Sequence, residues 1–184
     1  MRLFAKVIGA AFGAFALAAA ASAAGQPQPS LTKDFGDWTV QCYQNNGLQR
    51  CEMIEILINK KTSRRVLGIS VLYIPSQQRS VIQVGVPLAV ALQSGAVIST
   101  DTYTSTTLPY RLCDQQGCYI VLIADDSVVK SLSAASKAKV QVSSLNGKKL
   151  DLTFSLNGFA SGLQNLMQLS HDTGAAPAPS GEGK

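Results

Sequence analysis

The sequence predicts an all-β domain, a sandwich or barrel, on three observations. Residues 34–170 are dense in Val, Ile, Leu and Thr. Turn residues interrupt them at short intervals, the spacing of short antiparallel strands. Asn-Gly and Asp-Gln-Gln-Gly sit between alternating segments, where hairpin turns belong.

The chain begins with a three-part segment. Met1, Arg2 and Lys6 form a positive start, Val7 to Ala20 are apolar, and Ala21-Ser22-Ala23 is an A-x-A cleavage pattern. This is the layout of a secretory signal peptide over residues 1–24. The apolar part is rich in Ala and Gly, whereas a membrane span needs about 20 strongly apolar residues. No later stretch is apolar enough, so no transmembrane span is expected after cleavage. Residues 25–33, with Pro27 and Pro29, read as a linker, and residues 171–184, rich in Gly, Ala, Pro and Ser, as a disordered tail.

The first hairpin is well specified. Trp38 to Cys42 alternate apolar and polar, and Asn46-Gly47 suits a two-residue type I′ turn. Counting outward sets Asn45 opposite Leu48, Gln44 opposite Gln49, Tyr43 opposite Arg50 and Cys42 opposite Cys51. The last is a non-hydrogen-bonded pair, whose close Cα atoms suit a disulfide. Arg111-Leu112-Cys113 and Cys118-Tyr119-Ile120 flank Asp114-Gln115-Gln116-Gly117. A four-residue loop there sets Cys113 opposite Cys118. Four cysteines in an exported chain read as two disulfides, here 42–51 and 113–118. The C-x8-C and C-x4-C spacings with one His do not suit a structural zinc site, so no metal is expected.

Strands are also expected at residues 66–74, 80–86, 96–101 and 118–124. Asp125 can cap a short helix that turns Val128, Val129 and Leu132 inward. In the third hairpin a two-residue turn at Asn146-Gly147 would set Val140 opposite Thr153. A three-residue loop, Leu145-Asn146-Gly147, sets Val142 opposite Leu150 and Val140 opposite Leu152, keeping apolar with apolar. Gly147 is then left-handed. Phe159, Leu163, Leu166 and Met167 fall on one face of an amphipathic helix, capped by Ser155 or Asn157 and placed to cover an open edge or end of the sandwich.

Composition narrows the function. The whole chain carries 16 basic and 11 acidic residues, net +5. Losing Arg2 and Lys6 leaves 14 against 11, net +3. That is too mild for a dedicated nucleic-acid protein. The one charge cluster runs from Lys60 to Arg65; Lys60, Lys61, Arg64 and Arg65 are the candidate binding residues, for anionic lipid, polysaccharide or an acidic protein. No G-x-S-x-G elbow, free thiol or phosphate-cradling loop is present. Glu52, Glu55, Asp101 and the Asp125-Asp126 pair are what remain for acid–base work, and water-facing strand and turn positions account for them. His171, the only His, belongs at a helix C-terminus. No catalytic residue and no cofactor is expected.

Phe35-Gly36-Asp37-Trp38-Thr39-Val40-Gln41-Cys42, then Cys51-Glu52-Met53, resembles the opening of the bacterial invasion-associated locus B (IalB) family. Leu112-Cys113 with Gly117-Cys118 looks like its second cysteine hairpin. Ser155-Leu156-Asn157-Gly158-Phe159 with the following helix is similar to its C-terminal signature. The resemblance spans residues 35–169. It implies an immunoglobulin-like β-sandwich over residues 34–170 with a short C-terminal amphipathic helix, in an exported periplasmic or envelope-associated protein. The family takes its name from host-cell invasion by a pathogen, and it supplies no catalytic or ligand residues to carry over. The expected function is therefore non-enzymatic binding of an envelope or host protein in the periplasm, envelope or outside the cell. A structural envelope-integrity factor, or a periplasmic hydrolase with a carboxylate site, is the alternative.

Overall fold

The structure, a computed structural model, describes residues 28–45 and 47–173. The signal segment, the start of the expected linker, Asn46 and the end of the expected tail lie outside the described residues. Ten strands and two helices follow in order: β1 (Leu31–Phe35), β2 (Trp38–Asn45), β3 (Leu48–Ile58), β4 (Arg65–Ile74), β5 (Arg79–Val86), β6 (Ala96–Ser99), β7 (Tyr110–Asp114), β8 (Gly117–Ala124), α1 (Asp126–Ala134), β9 (Lys137–Ser143), β10 (Lys149–Ser155) and α2 (Phe159–Thr173). Two boundaries move. The expected linker yields its last three residues to β1, which pairs with β2 from Leu31↔Cys42 to Phe35↔Trp38. Helix α2 runs past residue 170 to Thr173.

All strand pairings are antiparallel. One sheet has seven strands in the order β1-β2-β3-β4-β5-β8-β7, the other three, β10-β9-β6. They form the expected β-sandwich with layers of unequal width. Leu67, Ile69 and Val71 of β4, Val84 and Val86 of β5 and Ile120 of β8 meet Ile98, Val140, Val142 and Phe154 from the narrow layer in one buried cluster. Three strands cannot cover seven, so α2 completes the narrow layer. It packs against β1 to β4, burying Phe159, Leu163 and Leu166. The helix expected at an edge or end thus lies over the face of β1 to β4.

The hairpin registers follow from turn chemistry. Cys42↔Cys51 through Asn45↔Leu48 pair as expected, and Gly47 has φ +79°. Val142↔Leu150 and Val140↔Leu152 confirm the three-residue loop, with Gly147 at φ +80°. The second cysteine hairpin is tighter than expected. Asp114 pairs with Gly117, leaving only Gln115 and Gln116 to turn, because Asp114 Oδ1 accepts from the N–H groups of both Gln116 and Gly117. The strand expected to reach Asp101 stops at Ser99. There Thr100 Oγ1 accepts from the N–H groups of Thr102 and Tyr103 and redirects the chain. Asp125 caps α1 by accepting from Ser127 and Val128, with Val128 and Leu132 buried and Val129 partly so.

Disulfides join Cys42 to Cys51 and Cys113 to Cys118. Each staples one hairpin next to its turn. Loops this short still constrain the unfolded chain by roughly 2–3 kcal/mol each. Replacing Cys42 and Cys51 together by Ala is expected to lower the unfolding free energy by about that amount, read from the urea midpoint of oxidised protein.

Candidate functional site

Two places gather polar side chains: the junction where the chain's first and last signature blocks meet, and the end of the wide sheet that carries the basic loop.

The junction is built on Trp38, which is wholly buried. Its ring lies edge-on to Phe154 and Phe159, with centroids 6.4 and 5.3 Å away. Its Nε1 donates to the Ser155 carbonyl at 3.0 Å. Asp37 N–H donates to the Asn157 carbonyl at 3.1 Å. Ser155 Oγ donates to Asp37 Oδ2 at 2.6 Å, and Asn157 Nδ2 reaches the same oxygen at 3.4 Å. Ser155 and Asn157, expected as helix caps, instead hold Asp37. Two glycines make the close approach feasible. A Cβ on Gly36 would come within 2.7 Å of the Asn157 carbonyl, and one on Gly158 (φ +87°) would overlap the Phe35 carbonyl.

Glu55 reaches this junction from β3. It pairs with Ile69, so it shares the inner face, and is only 8% exposed. Its Oε1 accepts from Ser155 N–H at 3.1 Å, while Oε2 is buried with no hydrogen-bond partner among the described residues. Burial pushes its carboxyl up to about 7; the Ser155 N–H opposes that rise and the nearby Asp37 charge adds to it. The expectation that Glu55 faces water is therefore wrong. β3 alternates Met53 and Glu55 inward with Ile54 and Ile56 outward, so an acid occupies a core position while an exposed Ile lies beside it.

The other carboxylates do not join it. Glu52 lies on the opposite face of β3, where its Oε1 accepts from Gln41 Nε2 at 3.3 Å. Asp101 lines a separate cavity with Lys137 and Lys139. Asp125 is engaged in capping, and the N–H and hydroxyl donors of Ser127 and Val128 hold its carboxyl below the usual value.

Just beyond the end of β3, residues 59–64 connect it to β4. Asn59 Oδ1 accepts from Lys61 and Thr62 N–H groups and shapes the loop. Lys60, Lys61 and Arg64 are exposed. Arg65 is different: it is the first residue of β4, and its Nη2 donates to the Gln116 carbonyl at 2.9 Å and to Tyr119 Oη at 3.2 Å. It ties the β7–β8 turn to the wide sheet. Arg64 and Arg65, with Asn59, Thr62, Gln115 and Gln116, line an open groove of about 600 Å³, while Lys60 and Lys61 stay outside its lining. The lone ion pair among the described residues is Lys139–Asp151 at 3.3 Å, so none of the four cluster cations has a carboxylate partner there. Gly68 and Gly85, paired inside adjacent strands, were the sequence signal for Arg65's bound position, since strand glycines mark close approach. Nothing local in the sequence marks Gln115, Gln116 and Tyr119 as neighbours of Arg65.

No group of three or more metal-ligating side chains is found among the described residues. No helix among them is long and apolar enough to cross a membrane.

Comparison with known proteins gives one family and one fold. None of the curated proteins is similar enough to count as a relative. A crystal structure of invasion associated protein B from Bartonella henselae is similar with a TM-score of 0.71 at 24% identity, over 78% of this chain and 99% of that one. At that identity the likeness shows the fold. The family described as invasion associated locus B (IalB) protein matches residues 38–167, which run from the buried Trp38 to the last helix. With that match over most of its length, the chain belongs to the invasion associated locus B family.

Proposed function

We propose that this protein is exported and acts without catalysis, in the periplasm or envelope or outside the cell, by binding an envelope or host component. The contact surface is the basic end of the wide sheet. The observation that carries this reading is the cluster Lys60, Lys61, Arg64 and Arg65, four cations with no carboxylate within ion-pair distance among the described residues. Uncompensated charge on one rim raises the local concentration of an anionic partner and speeds encounter. Export is supported by the three-part N-terminal segment and by two disulfides, which persist in oxidising compartments.

The hydrolase alternative draws support from Glu55 beside Asp37. Against it, Glu55 Oε2 is buried, Asp37 is held by Ser155 and Asn157, and the other acids point elsewhere. A role in host-cell invasion would follow from what the basic surface contacts.

Charge reversal at Lys60, Lys61 and Arg64 tests the reading, with Arg65 left in place because it ties the sheet to the turn. Retention of purified protein on envelope fragments is expected to fall about tenfold and to lose most of its salt dependence. Unchanged retention with unchanged salt dependence would show that this surface is not the contact.

A further inference from the structure

Arg65 narrows the ligand class at the proposed surface. Gly68 and Gly85 face each other across β4 and β5, and the Arg65 and Tyr119 side chains lie over them. A Cβ on Gly85 would come within 2.7 Å of the Tyr119 ring, and one on Gly68 within 3.3 Å of Arg65 Cδ. The guanidinium carbon stands 5.9 Å from the Tyr119 ring centroid. The cation is thus held flat against the sheet by a carbonyl and a phenol, both neutral. Asp114, the acid of the adjacent turn, accepts through Oδ1 from two backbone N–H groups and, at 3.4 Å, from the Tyr119 hydroxyl, so it reaches Arg65 only through the phenol. Both Arg65 Nη2 hydrogens are spent on the carbonyl and the phenol, so the fixed guanidinium offers a ligand its Nη1 and Nε donors.

The rest of the groove is neutral, hydrogen-bonding and partly apolar. Thr62 and Gln115 bring a hydroxyl and an amide, groups that both donate and accept. Pro87 and Leu88 give an apolar wall, with Leu88 52% exposed. Amides, a hydroxyl and an apolar wall suit a ligand rich in hydroxyls with apolar ring faces, and the two arginines suit carboxylates spaced along it. We infer that the groove binds an acidic polysaccharide of the uronic-acid type, its carboxylates on Arg64 and Arg65 and a ring face against Pro87 and Leu88. This rests on the binding reading proposed above.

The test measures calorimetric binding of polygalacturonate to protein isolated from its own cells, with dextran as the neutral polymer and phosphatidylglycerol vesicles as the anionic surface. Saturable binding of polygalacturonate alone is expected. Arg65→Lys keeps the charge but loses the Nη1 and Nε donors, and is expected to weaken binding about tenfold. Arg64→Gln, at an exposed position, is expected to weaken it with the unfolding midpoint unchanged. The inference is overturned by no saturation, by equal binding of dextran, by preference for the vesicles, or by unchanged affinity in both variants. If polygalacturonate fails while charge reversal at Lys60, Lys61 and Arg64 still abolishes retention on envelope fragments, the ligand class alone is wrong. If both fail, the binding surface is wrong as well.

Discussion

Trp38→Ala is expected to remove 3 kcal/mol or more of unfolding free energy. Deleting a buried Trp costs about 3–5 kcal/mol through lost burial and the cavity left behind, and this one also donates its indole N–H to the Ser155 carbonyl. Its two aromatic neighbours come from different elements, Phe154 in β10 and Phe159 in α2. Losing the indole therefore loosens both parts of the narrow layer at once. Trp38→Phe separates the contributions. It keeps most of the apolar packing but leaves the carbonyl without its donor, and is expected to cost less than half as much. Urea denaturation followed by circular dichroism measures both variants, since the chain's single Trp is gone. A loss under 1 kcal/mol in Trp38→Ala would mean that the junction is not what holds the two layers together.

Glu55→Gln is expected to flatten the dependence of stability on pH and to raise stability above pH 7. The folded-state value of about 7 lies above the ordinary 4.5. Between those values the native state binds more protons than the unfolded one. The stability Glu55 confers is complete below about pH 4.5, declines as pH rises, and is gone above about pH 7. A difference of that size corresponds to on the order of 3 kcal/mol. Asp125 and Asp151, both held low by hydrogen bonds, work in the opposite sense: what they contribute is present at neutral pH and lost in acid. The interval from 5 to 7 therefore belongs to Glu55. Urea midpoints from pH 4.5 to 8 should slope downward for the natural chain and run nearly level for Glu55→Gln. Parallel curves for the two proteins would show that the carboxyl does not titrate in that range.

Sequence patterns carried most of the fold where a local rule applied. Asn46-Gly47 and the cysteine spacing set one register, the Val140/Leu152 match set another, and Asp125 announced α1. They were weaker where both faces of a strand are apolar. In β3, Ile54, Ile56 and Ile58 lie outside while Met53 and Glu55 lie inside, so alternation had no sign to say which face was the core. The candidate sites were legible as residue types but not as places. Arg65 read as one of four loop cations, and only the glycines beneath it mark it as bound. Asp37 and Ser155 read as parts of two separate signatures, and nothing local shows that residues 118 apart share a hydrogen bond.

That separation bears on the order in which the molecule assembles. The first hairpin is local and can form early, since its turn and its disulfide lie within a few residues of each other. Trp38 at its base has no binding place until residues 154–159 exist, because its indole partner lies 117 positions further along the chain. Contacts of such separation close large loops and form late. A chain emerging from its N-terminus thus keeps an unfinished core until nearly its last helix is made. The step that completes the fold is the one that brings its two ends together.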